Sequence, residues 1–204
     1  MQISLPSGWE KSLLWNVDEK MGVNLTPPID YSLPYWDEFR KRDASPMGKA
    51  LTQARIDLVR AYTKDLPVDI GIGGGRFVEE MGCYGFDVNP EANEWLHSRG
   101  SFCDPYSVRP IAITCWDSLE HIPNPSFLVD AVLDLVFVSL PIFSGPESTL
   151  KSKHYKPGEH IWYFTDAGIT MWFERHGFSL VESNNIEELL GREGIGTYVF
   201  RRIK

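Results

Sequence analysis

LPVDIGIGGGRFVEEMGCYGFDVNP, residues 66–90, reads as strand, glycine turn, short helix and second strand. The apolar Leu66, Val68 and Ile70 make the first strand. It runs into Gly71, Gly73, Gly74 and Gly75, four glycines in five positions. Glycine removes the side chains that would keep a ligand off the backbone, and a helix opening at Arg76 turns unpaired N–H groups toward the same spot. That helix runs to Met81, and Tyr84–Phe86 forms the next strand. Asp87 stands at its tip, where a carboxylate can accept two hydrogen bonds from a ribose. The stretch predicts a nucleoside-ligand site with a doubly wound sheet around it.

The residues around the glycines narrow the ligand. A nucleoside-triphosphate loop needs a Lys-Ser/Thr pair, and Arg76-Phe77 stand there instead. The dinucleotide pattern would put its third glycine at position 76, and no tyrosine has a lysine four residues on, so a nicotinamide-dependent oxidoreductase is only a third choice. What remains is an acid, x, G, x, G, small, G, followed by an acid at the end of strand two. This resembles class I S-adenosylmethionine-dependent methyltransferases, with Asp69, Gly71, Gly73 and Gly75 in the first motif and Asp87, followed by Val88, in the second. The plainer reading is a glycine-rich turn between buried strands. A second signature separates the two: IAITCWDSLEHIPNP, residues 111–125, begins as an alternating strand and ends in an LEH-apolar-Pro turn. It resembles the fourth-strand motif of the group that includes the ubiquinone-type O-methyltransferases. The resemblance covers residues from about 48 onward and leaves the first forty unmatched.

The resemblance implies a Rossmann-like α/β fold of about seven strands with a C-terminal antiparallel hairpin, and S-adenosylmethionine as cofactor. It assigns Gly71, Gly73 and Gly75 to close backbone approach near the methionyl end, and Asp87 to the ribose hydroxyls. Asp69 would orient the turn or reach the amino group through water. Residues 117–121, Asp117 and Leu119 among them, would line the methionyl side and the substrate entrance. Asp104, just after a short third strand at residues 101–104, would contact the adenine amino group. Only ten residues separate Gly100 from Ile111, so a reduced sheet edge is expected there.

At 204 residues the chain fits one domain, 1–204, with residues 1–44 as an N-terminal arm or lid and 45–204 as the core. A net charge of -8 argues against bulk nucleic-acid or anionic-membrane binding and favours a small-molecule acceptor. Cys83, Cys103 and Cys115 are odd in number and lack C-x-x-C spacing, so they read as free thiols. No signal peptide or membrane-spanning run is evident, and a cytoplasmic protein is expected.

Residues 1–44 look irregular, with Trp9, Trp15, Tyr31, Tyr35, Trp36 and Phe39 set among Pro6, Pro27, Pro28 and Pro34, which should forbid a long helix. Packing of this arm over the sheet is favoured over a lid on the ligand mouth. Ser45-Pro46 starts a helix to about Thr63, on which Arg55 reads as a solvated charge and Tyr62 as a core aromatic. Asn89-Pro90 starts a helix to residue 97 or 98, ended by Gly100, and Asn124-Pro125 another to about Asp134. Leu135–Leu140 is a central strand, and residues 141–159 a long basic loop, carrying Lys151, Lys153, His154 and Lys156. Thr165 caps a helix to His176, and residues 178–182 and 196–201 are the terminal strands.

An oxygen nucleophile calls for a general base, and histidine has a suitable pKa. His121 comes first and His160 second, both near the carboxyl edge of the sheet, although a structural histidine is the commoner case. No metal is expected, since His154 and His160 lack a cysteine or third histidine at suitable spacing. A methyltransferase-like module that binds without turnover is the alternative function.

Overall fold

The computed structural model describes residues 12–27 and 34–204; Pro6, Trp9, Pro28 and Tyr31 lie outside them, as does the Tyr35 side chain. Its centre is a six-stranded sheet built from β3 (Val68–Ile70), β4 (Tyr84–Phe86), β5 (Ala112–Trp116), β6 (Leu135–Pro141), β8 (Phe178–Asn184) and β9 (Ile195–Arg202), in the order β4-β3-β5-β6-β9-β8. The first four run parallel, and β9 inserts antiparallel between β6 and β8. The seventh strand expected at residues 101–104 shrinks to one parallel bridge between Gly85 and Phe102, as the short connection to Ile111 requires.

Strand β6 is buried along its whole length because helices cover both faces of the parallel half, which is why its sequence is apolar at every position but Ser139. One core layer joins Val136, Val138 and Phe200 to Leu128, Ile169 and Phe173; the other joins Phe137 and Val199 to Ile56, Val59 and Leu96. Helices α2 (Pro46–Tyr62), α4 (Pro90–Ser98) and α7 (Asp166–Arg175) begin where the sequence places them, on side-chain caps from Ser45, Asn89 and Thr165. The short α3 (Arg76–Met81) follows the glycine turn. Helix α5 (Pro125–Ala131) stops three residues earlier than expected, as Val132 turns extended toward β6.

The N-terminal region and the basic loop differ from expectation. Strands β1 (Leu13–Asn16) and β2 (Met21–Asn24) form a hairpin whose inner strand pairs antiparallel with β7 (Trp162–Phe164), making a second, three-stranded sheet. Helix α1 (Pro34–Ala44) then forms because Pro34 occupies the first turn, the one helical position where its missing N–H costs nothing. Residues 141–159 are not one loop either: they contain α6 (Pro146–Lys151) and a bridge from Ile142 to Phe164. A last short helix, α8 (Ile186–Leu189), joins β8 to β9.

Candidate active site

The carboxyl ends of β4, β3, β5 and β6 deliver Asp87, Gly71, Asp117 and Pro141, in that spatial order, to the wall of one cavity of about 600 Å³. Such an edge is where open α/β sheets bind ligands. Gly71 (φ 73°) donates its N–H to Phe86 O at 2.8 Å, and a Cβ there would stand 2.7 Å from Ser118 Cβ. Gly73 (φ 56°) presents bare backbone to the cavity beneath Phe39. Helix α1 presses on this turn so closely that a Cβ on Gly74 would lie 2.8 Å from the Arg40 backbone. Its Trp36 and Phe39 form part of the cavity wall.

Asp87 is fixed by the loop it begins. Its Oδ1 accepts the Asn89 N–H at 2.8 Å, while Asn93 Nδ2 donates to its carbonyl at 2.6 Å. Burial raises its carboxyl pKa, and backbone amides, including those of Ile72 and Gly73, partly oppose this. Val88 is exposed at the rim, and Tyr106 lines the wall beside Phe86. Asp69 lies behind the turn, its Oδ1 accepting from Thr114 Oγ1 at 2.6 Å; burial raises its pKa to about 7. Gly75 (φ 79°) starts α3 and packs against Trp95, Leu119 is fully buried in the core, and Asp104 accepts from Ser107 Oγ and the Tyr106 N–H. Of the eleven sequence-derived candidates, Gly71, Gly73, Asp87, Val88, Asp117, His121 and His160 share the cavity wall, whereas Asp69, Gly75, Asp104 and Leu119 lie off it.

Asp117 adopts a left-handed φ of 55° and donates its N–H to Ser139 O at 2.8 Å. Its carboxylate accepts from Arg192 and stands 3.6 Å from Arg55 Nη2. Buried Glu187 ties the same two arginines together, accepting from Arg55 at 2.7 and 2.9 Å and from Arg192 at 2.6 Å. Burial works to raise the Asp117 carboxyl, but Arg192, Arg55 and Arg42 outweigh it and hold it below the usual carboxylate range. Arg55 is therefore no solvated charge but half of a buried network that single-segment patterns do not reveal. Tyr62 packs edge-on to Phe137 and donates its hydroxyl to Glu182 at 2.6 Å.

Beyond Asp117, the 3₁₀ turn Leu119–His121 carries Glu120 and His121 into the wall, facing His160 at the entry to β7. The two imidazoles meet edge to face, 4.6 Å between centroids. His121 Nδ1 donates to Glu159 O at 2.9 Å. Burial lowers the pKa of both histidines, that of His160 to about 3 with help from His121 and Lys156, so both are neutral at pH 7. Two lysines of the basic segment are paired, Lys156 with Glu159 of the same segment at 3.1 Å and Lys153 with Glu193 from the turn before β9 at 2.9 Å.

A family model described as "Methyltransferase domain" matches residues 67–183, more than half of the chain. The chain belongs to this methyltransferase-domain family. No curated protein sequence matches it. Several solved structures share the fold of this methyltransferase domain. Magnesium protoporphyrin IX methyltransferase from Synechocystis PCC 6803, with bound SAH, is 14% identical over 85% of this chain and 90% of its own, with a TM-score of 0.57. A Thermotoga maritima S-adenosylmethionine-dependent methyltransferase, possibly a histamine N-methyltransferase, is 13% identical over 83% and 97%, TM-score 0.59. Burkholderia thailandensis 1,6-didemethyltoxoflavin-N1-methyltransferase, with bound 1,6-didemethyltoxoflavin and S-adenosylhomocysteine, is 15% identical over 93% and 99%, TM-score 0.54. Likeness at this identity speaks for the fold alone. Among the described residues no helix is long and apolar enough to cross a membrane.

Proposed function

We propose that the chain is an S-adenosylmethionine-dependent methyltransferase that moves a methyl group to an oxygen or nitrogen nucleophile of a small-molecule acceptor. The observation that carries this reading is one cavity whose wall joins the bare glycine turn and Asp87 to the His121–His160 pair. The cradle suits the cofactor: Gly73 presents bare backbone to the cavity, Gly71 lets the turn close against Ser118 without a side chain between, and Asp87 is the acceptor placed for ribose hydroxyls. Bound there, S-adenosylmethionine supplies a methyl group activated on a sulfonium.

The residues of the chain do the rest. Trp36 and Phe39 on α1 close the mouth and keep water from the transfer. The rigid turns after β3 and β5 fix the angle at which an acceptor meets the methyl carbon, and such positioning supplies much of the acceleration of an in-line displacement. Held by Gly71, Gly73 and Asp87, the cofactor would supply the methyl carbon, its carbon–sulfur bond breaking as the acceptor's bond forms and the electron pair staying on sulfur. A neutral imidazole, His121 before His160, takes the acceptor's proton. Domain span 1–204, with 45–204 as the catalytic core and 1–44 as arm and lid, belongs to the same proposal.

Calorimetry with S-adenosylmethionine, S-adenosylhomocysteine and NADH tests it. Both sulfur nucleosides should bind at micromolar concentration and NADH should not. Asp87→Ala should weaken binding by about 100-fold or more, the loss of charge-assisted hydrogen bonds to a ribose. No binding of either sulfur nucleoside to the folded wild type refutes the reading and leaves a module without this cofactor.

A further inference from the structure

Glu120, His121 and His160 each bring one donor atom within 4.8 Å of the other two, on the wall of the cavity. Two of the three carry an unmet demand. The Glu120 carboxylate is 1% exposed, yet neither oxygen has a hydrogen-bond partner among the described residues, and the same holds for Nδ1 of buried His160. A carboxylate shut away from water is costly unless a proton or a cation meets it, and nearly all buried polar groups in folded proteins are satisfied. His121 is already oriented: because its Nδ1 donates to the Glu159 carbonyl, the ring lone pair lies on Nε2, 3.9 Å from Glu120 Oε1. A backbone carbonyl that fixes the tautomer of a histidine in this way is the usual outer partner of a metal-bound imidazole.

We propose that Glu120, His121 and His160 form a binding site for a divalent transition metal ion, zinc before iron or manganese. Two imidazoles and one carboxylate are the donor set of open, three-ligand zinc sites, whereas magnesium and calcium prefer oxygen alone. Zinc–nitrogen bonds of about 2.1 Å place tetrahedral ligands about 3.4 Å apart. Small side-chain rotations close the present spacing to that value. The fourth position opens on the cavity, so an acceptor that offers an oxygen donor is the class the ion selects; with the ion bound both imidazole lone pairs are committed to it, and the ion, by acidifying the acceptor it binds, takes over the proton removal given to His121 in its absence. The role given to the ion rests on the proposed methyl transfer; the site itself does not. The sequence pattern sought cysteines or a third histidine and so passed over the carboxylate beside His121.

Chelator-stripped full-length protein titrated with Co²⁺, read by visible d–d absorption and by competition with Zn²⁺, tests the site. One equivalent should bind. Glu120→Gln and His160→Ala should each weaken binding at least about 100-fold, the upper end of what losing a mere outer partner costs. Circular dichroism checks the folding of both; if His160→Ala fails to fold, the near-isosteric Glu120→Gln decides. No cobalt uptake by wild type, or unchanged affinity in folded Glu120→Gln, overturns the site. S-adenosylhomocysteine calorimetry on the same stripped sample separates the two proposals. Nucleoside binding without cobalt binding removes the metal site alone, and cobalt binding without nucleoside binding keeps the site while the cofactor reading falls.

Discussion

Replacing Glu187 with alanine is the sharpest test of what holds the cavity wall together. Its carboxylate is fully buried and accepts two bonds from Arg55 and one from Arg192. Removing it leaves two guanidinium groups to share Asp117. Breaking a buried ion pair from one side costs about 3–5 kcal/mol, because the stranded charge has lost its solvent as well as its partner. Here the lower end applies: Arg55 and Arg192 keep 16% and 19% of their side-chain surface exposed, and Asp117 still faces both. A loss of about 3 kcal/mol corresponds to a fall in melting temperature of about 6–12 °C for a domain of this size. Urea unfolding followed by circular dichroism measures it, with an unchanged slope on denaturant as the check that only stability moved. Glu187→Gln, which retains an acceptor, should fall between. A loss below about 1 kcal/mol in Glu187→Ala would put the cluster among surface ion pairs and refute the reasoning.

Two further perturbations follow from buried groups and backbone. Desolvation raises Asp69 in the folded state to about 7, so the folded chain binds the extra proton between its unfolded pKa and that value; stability should decline as pH rises from 4 to 7, by no more than about 4 kcal/mol from this group, and Asp69→Asn should flatten the profile in chemical denaturation. Gly75→Ala should cost about 2–5 kcal/mol in the same assay, the sum of left-handed strain and a clash with the Trp95 ring at 2.8 Å. Gly82→Ala, at φ 71° with open space around it, should show only the strain, about 1–2 kcal/mol, and equal losses at the two sites would dismiss the Trp95 contact.

What was legible in the sequence was local. The glycine turn, the caps at Ser45, Asn89 and Thr165 and the apolar run of β6 each act within a few residues of themselves, and the structure keeps them where the patterns put them. The failures are contacts across long separations. Strands β1 and β2 have no strong pattern of their own and exist because Met21–Val23 finds Trp162–Phe164. Arg55 looked solvated because Glu187 and Arg192 come from the far end of the chain. Pro34 misled in a different way, since a proline that forbids a helix interior also starts a helix well. At the site, the LEH turn was visible, but nothing in its spacing told that Glu120 would be sealed from water.

The insertion of β9 between β6 and β8 bears on how the protein is made. Synthesis runs from the amino end, so β6 emerges well before the strand that pairs with it along its whole length. Until residues 195–202 arrive, a nascent chain carries an unpaired strand edge, apolar but for Ser139, the kind of surface on which chains stick to one another. The same late strand brings Arg202, which donates to the carbonyls of Val129, Asp130 and Val132 and so fastens the end of α5 to the closed sheet. Ribosome-bound intermediates of this protein should therefore depend on chaperones for the interval between β6 and β9, and dispense with them once β9 is seated.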